Sequence, residues 1–112
     1  MTERKSEYDR ILQKAVDTGL EFAGRNCRIV IYSFLERKFQ TRLDEIPANI
    51  ESLHKALEGI FGNVSTMIIE KIIARNLYER LGLRFEPRNS WTLVDYVNNT
   101  RDNVSWNVAN NV

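Results

Sequence analysis

The chain is poor in the residues that most chemistry needs. It has one cysteine, Cys27, and one histidine, His54, in 112 residues. A single cysteine cannot close an internal disulfide. One Cys and one His exclude a metal site built from Cys and His ligands alone, and no cofactor is expected. There are two prolines and five glycines, and the glycines show neither a phosphate-loop nor a dinucleotide spacing. No apolar run approaches the ~20 residues needed to span a bilayer; the longest, Ile29 to Leu35, is short and contains Ser33. The first residues lack the apolar core of a signal peptide, so a cytoplasmic protein without membrane association is expected. Nor is there an excess of one charge. Sixteen Lys and Arg face 15 Asp and Glu, a net charge of +1. A protein held to DNA by bulk electrostatics usually carries a larger basic surplus.

What is present is apolar patterning. The hydrophobic fraction is 43%, enough for one domain to bury a core without a staple. Ser6 is a plausible cap for a first helix to Ala23. Tyr8, Ile11, Leu12, Ala15, Val16, Gly19, Phe22 and Ala23 recur there at three- and four-residue steps. Gly24 is placed to end it. Gly19 lies inside that apolar face, which costs about 1 kcal/mol against Ala and points to close approach by another helix.

A second helix is expected over about Asn26 to Thr41. Its β-branched start favours a strand on propensity alone, but Cys27, Val30, Ile31, Phe34 and Leu35 keep a helical step. Leu43 to Asn49 reads as a connection, with Asn49 capping a third helix over Ile50 to Phe61. Gly62 stops it. A fourth helix over Val64 to Leu81 is apolar around most of its circumference, which places it centrally or sets one side against another protomer. Gly82 closes it, with Leu83 folding back on the last turn.

Leu83 to Arg88 alternates like a short edge strand. Asn89 or Ser90 is placed to cap a last helix over Trp91 to Thr100. The expected fold is therefore all-α, a compact bundle of about five helices around the fourth. The single domain covers 1–101. Residues 102–112 form an Asn-rich tail that is mobile or ordered by a partner, and Val104, Trp106 and Val108 hint at extended structure within it.

The acidic-Ile-Pro connection at Ile46-Pro47-Ala48-Asn49, the run Leu53 to Gly62 (LHKALEGIFG) and the run Ile68 to Leu83 (IIEKIIARNLYERLGL) resemble the nitrosopumilus output domain family. With Tyr32 to Phe39, the similarity spans roughly residues 8 to 98. The matching residues are core and capping residues. The resemblance implies a helical output or interaction module in archaeal signalling. It implies no activity and transfers no functional residue.

The candidate chemistry is sparse. His54 sits beside Leu53 and Leu57 with no nucleophile in view, and a structural role is expected. Cys27, flanked by Arg25 and Arg28 at a helix start, has a setting that can lower a thiol pKa. Its place on the apolar face favours a core role. Asp44 and Glu45 are better explained by capping than by catalysis.

Two function classes remain. The first is a non-enzymatic interaction or signalling-output module, self-associating or binding another protein. Its interface candidates are Ile69, Ile72, Ile73, Tyr96 and Trp106, because exposed apolar area marks interfaces and often symmetric dimers. A single core absorbing all of the fourth helix is an equally open reading. The second is a nucleic-acid-binding regulator, using a helix-turn-helix across Gly62-Asn63 or a patch of Arg84, Arg88, Trp91 and Arg101.

Overall fold

Ser6 opens the fold as expected: its Oγ accepts the Asp9 backbone N–H at 3.0 Å and caps α1, Glu7–Ala23. The structure is a computed structural model that describes residues 6–110, with side chains described over 6–103. Along α1, Leu12, Ala15, Val16, Gly19 and Leu20 are buried, the repeat of one helical face. Phe22 lies in the last turn and remains 74% exposed. Leu20, absent from the expected face, takes a core position instead.

Gly24 is the only residue between α1 and α2, Arg25–Phe39. Its φ of 150° and ψ of 140° form a sharp extended junction rather than the expected left-handed cap. Only glycine takes that φ readily. The second segment is helical despite its β-branched start. Ile31 and Leu35 are buried one turn apart. Tyr32 donates its hydroxyl to Asp17 Oδ1 at 2.6 Å, and Arg28 reaches Asp17 Oδ2 at 3.3 Å, tying α2 to α1. Gln40, at φ 49°, ends the helix before Thr41.

The expected connection contains a 3-10 helix, Leu43–Ala48, with Ile46 and Pro47 buried. Glu45 Oε1 accepts the Arg42 backbone N–H at 2.8 Å, so capping is indeed what this carboxylate does. Asn49 does not cap through its side chain. Its Nδ2 donates back to the Glu45 carbonyl at 2.8 Å, while its own carbonyl takes the first bonds of the next helix.

That helix, α3, is Ile50–Leu81, interrupted at Gly62 (φ 79°, ψ 178°). The two helices expected on either side of Gly62 are its arms, 50–61 and 63–81. In a straight helix His54 and Glu70 would lie about 24 Å apart. Here His54 Nδ1 and Glu70 Oε2 are 2.6 Å apart, so the arms double back on each other at Gly62. Taken whole, α3 is central: it packs against α1, α2, the 3-10 helix and α4, Leu93–Asn110, and its second arm meets α1 at Gly19 and Ile73 and α4 at Glu70 and Leu93. It buries Ile69, Ile73, Ala74, Leu77 and Tyr78.

Gly19 has the role expected of it. A Cβ built there would overlap Ile73 Cγ1 and stand 3.1 Å from Ile73 Cα, so α1 and α3 touch backbone to backbone. Gly19→Ala is therefore expected to destabilise the fold by about 1–3 kcal/mol through overpacking, although Ala is the better helix former. Urea unfolding of the two proteins checks the sign.

Leu83 to Arg88 is not a strand. At its end the Tyr96 hydroxyl accepts the Arg88 N–H at 2.8 Å and donates to the Arg88 carbonyl at 3.2 Å, while the Leu83 N–H at its start donates to the Tyr78 carbonyl at 2.9 Å. Phe85, Trp91 and Tyr78 pack around the Tyr96 ring at centroid distances of 5.1 to 6.1 Å. Neither Asn89 nor Ser90 caps the last helix. Asp95 Oδ2 accepts the Thr92 N–H at 2.9 Å, and Glu70 Oε1 accepts the Leu93 N–H at 3.0 Å. The helix does not end at Thr100 but runs on to Asn110, so the stretch around Val104, Trp106 and Val108 is helical rather than extended. Among the described residues there is no strand, and no helix is long and apolar enough to cross a membrane.

Candidate interaction surface

Several of the exposed large apolar side chains lie where α1 ends, α2 begins and α3 turns, while Leu43 stands apart beside Gln13 and Arg42. Phe22 (74%), Val64 (72%), Ile68 (58%) and Val30 (46%) all show substantial exposure there. Phe22, Cys27, Phe61, Ile68 and Ile72 line an open, mainly apolar groove of about 410 Å³. A second concavity shares Ala23, Cys27 and Phe61 with it and extends to Val30. The two form one continuous face. Val64, Ile68 and Ile72 follow each other at one-turn spacing along the second arm of α3, so a single helical stripe supplies one wall.

This face differs from the interface expected from sequence. Ile73 and Tyr96 are fully buried in the single chain, and Ile69 nearly so. Ile73 and Tyr96 are core residues, while Ile69, though largely buried, still lines the groove beside Ile68. Ile72 does line the groove. The Trp106 side chain lies outside the described residues. The fourth helix does expose part of its apolar circumference, at Val64, Met67 and Ile68 rather than at Ile69 and Ile73. Phe22 and Val30 escaped notice because each keeps the helical step of its own core face.

Cys27 is half-buried in this groove, and burial pushes its thiol up from the usual value. Burial, not the flanking arginines, sets the direction of that shift.

The polar constellation of the domain lies across the α3 turn. Glu70 is 3% exposed, yet both carboxylate oxygens have partners: Oε1 takes the Leu93 N–H and Oε2 meets His54 Nδ1. His54 Nε2 stands 3.4 Å from Glu58 Oε2. Burial raises the Glu70 carboxyl pKa, and the bonds to His54 and to the Leu93 N–H oppose that rise. The arrangement clasps both arms of α3 to the start of α4. His54 thus has the structural role expected of it. Glu70 was invisible in the sequence, where it is one acid in an otherwise apolar segment. The described residues include no group of three or more His, Cys, Asp or Glu side chains arranged to hold a metal.

The residues expected to serve nucleic acid divide. Arg84, Arg88 and Trp91 do converge, around a small pocket of about 150 Å³ that Asn99 and Asn103 also line. Arg88 stacks over the Trp91 ring at 4.9 Å, and Arg84 pairs with Glu86 at 3.5 Å. Arg101 is elsewhere: it donates to the Pro47 carbonyl at 2.6 Å, approaches Asp9 at 3.6 Å and lies over the Tyr8 ring. The helix-turn-helix reading fails on geometry. Gly62 is a one-residue reversal, and the would-be recognition helix is the central, core-forming arm. Its arginines are occupied as well, Arg75 over Phe85 and Arg80 on Asn76 and Thr18.

No family model matches the chain, and no curated protein or solved structure matches it.

Proposed function

We propose that this chain is a non-enzymatic interaction module that self-associates through the apolar face of Phe22, Val30, Phe61, Val64 and Ile68. The observation that carries the reading is that face. Exposed Phe22 and Ile68 line one groove, exposed Val30 lines the concavity that adjoins it, and half-buried Phe61 joins the two. A self-complementary patch of this kind suits a symmetric homodimer. Membership of the nitrosopumilus output domain family, a place in archaeal signalling and a cytoplasmic location belong to the same proposal. They rest on the sequence resemblance alone.

Ile68→Glu separates this role from stability. Ile68 is more than half exposed, so a charge there should change the unfolding free energy by no more than about 0.5 kcal/mol. The same charge at the centre of a desolvated interface should weaken association by about tenfold or more. Sedimentation equilibrium and thermal melting on one preparation give both readings. Unchanged association by the variant would count against this face.

A further inference from the structure

We propose that the dimer is domain-swapped: Gly62 opens, α3 straightens, and residues 63–110 of each copy pack on residues 6–61 of the other. This deepens the self-association reading and rests on it. Four observations support it.

First, the reversal in α3 involves one residue. Phe61 and Asn63 are both helical, so a change of φ and ψ at Gly62 alone turns the 32-residue segment into one continuous helix. Second, the hinge residue itself is not packed in. Gly62 is exposed, and apart from its own chain neighbours and helix backbone nothing lies within 4 Å of where its Cβ would stand. Its present φ and ψ belong to a region essentially restricted to glycine.

Third, the contacts that join the two parts survive the exchange. Gly19 against Ile73, His54 on Glu70, Tyr8 on Thr100 and Arg101 on the Pro47 carbonyl all cross the hinge. Each forms equally well between copies. Fourth, apolar residues left in water follow the hinge. Val64, Met67 and Ile68 are exposed just after Gly62, and half-buried Phe61 immediately precedes it. Two straightened helices crossing at their hinges would cover them, giving the swapped form an interface that the closed chain lacks. A face-to-face dimer has no need of the hinge, and a short hinge is what favours swapping over closure.

The test pairs Gly62→Ala with a variant carrying three glycines inserted after Gly62. Alanine disfavours the closed backbone and favours the straight helix, shifting the balance toward dimer by about tenfold per hinge. The longer hinge relieves the closed chain and should give a monomer. Light scattering before and after dilution reads both. The expected results are a Gly62→Ala dimer that persists for hours on dilution, because separation requires unfolding, and a monomeric insertion variant. A folded, monomeric Gly62→Ala protein would overturn the swap, as would an insertion variant that still dimerises like the wild type. The latter leaves self-association through the face intact. If Gly62→Ala does not fold, the insertion variant decides alone. Monomers throughout, wild type included, would remove both readings.

Discussion

Ile73→Ala is expected to lower the unfolding free energy by about 2–5 kcal/mol, a large share of the roughly 5–15 kcal/mol typical of a whole domain. Ile73 is fully buried at the closest approach of two helices. Removing its outer carbons loses their transfer energy and leaves a void that Gly19, having no side chain, cannot fill. The same geometry makes a second, sharper expectation. Gly19→Ala clashes chiefly with Ile73 Cγ1, and that atom is absent in Ile73→Ala. The alanine at 19 should then cost much less, or stabilise by filling the void. A double-mutant cycle in urea measures the coupling, expected at about 1–3 kcal/mol. Additive effects would mean that α1 and the second arm of α3 do not meet at this point.

The second large effect is at Glu70. Glu70→Ala leaves the Leu93 N–H and His54 Nδ1 without their partner and opens a cavity, at an expected cost of about 2–4 kcal/mol. Glu70→Gln behaves differently. Its carbonyl oxygen still accepts from Leu93, and its amide donates to His54 Nδ1, with the ring proton on Nε2 toward Glu58. Near neutral pH that variant should stay within about 1 kcal/mol of the wild type.

The stability difference between the wild type and Glu70→Gln should also depend on pH. Burial raises the Glu70 carboxyl above its ordinary 4.5, so the folded state binds a proton more readily than the unfolded chain. Between 4.5 and the raised folded value, the native protein therefore holds more protons. Its stability falls as pH rises through that window and is gained as pH falls. Relative to Glu70→Gln, the wild type should gain stability on mild acidification and lose that gain above the window. Denaturant unfolding of both proteins from about pH 4 to about pH 7 reads this directly, because other carboxylates titrate in both and cancel. A difference independent of pH would show that the carboxyl is not desolvated as described.

Both effects involve positions that the sequence treats unequally. The Gly19 contact was legible: a glycine inside an apolar helical face needs a reason, and close approach is the usual one. The helical class, the Ser6 cap and the stops at Gly62 and Gly82 were legible on the same local grounds. The reversal at Gly62 was not. Periodicity marks where a helix breaks but carries no angle, and only the contact between His54 and Glu70 shows the arms doubling back. That angle decides which side of the fourth helix is covered. Ile69 and Ile73 pack in the core while Val64, Met67 and Ile68 are exposed, a division that a helix apolar around most of its circumference does not reveal in its sequence. Leu83 to Arg88 failed for a related reason. Alternation suggested a strand, but the hydrogen-bond partner of Arg88 is a side chain eight residues away, the Tyr96 hydroxyl. Such a partner leaves no periodic trace.

Self-association through the apolar face is tested most directly by absolute mass. Light scattering over a concentration series, with nucleic acid present and absent, should give twice the 13.1 kDa chain mass for the wild type, a shift toward single chains for Ile68→Glu, and no change with nucleic acid. A wild type that remains at single-chain mass at every concentration would contradict it, and a salt-dependent gain of mass with DNA or RNA would assign the pocket of Arg84, Arg88 and Trp91 the leading role instead.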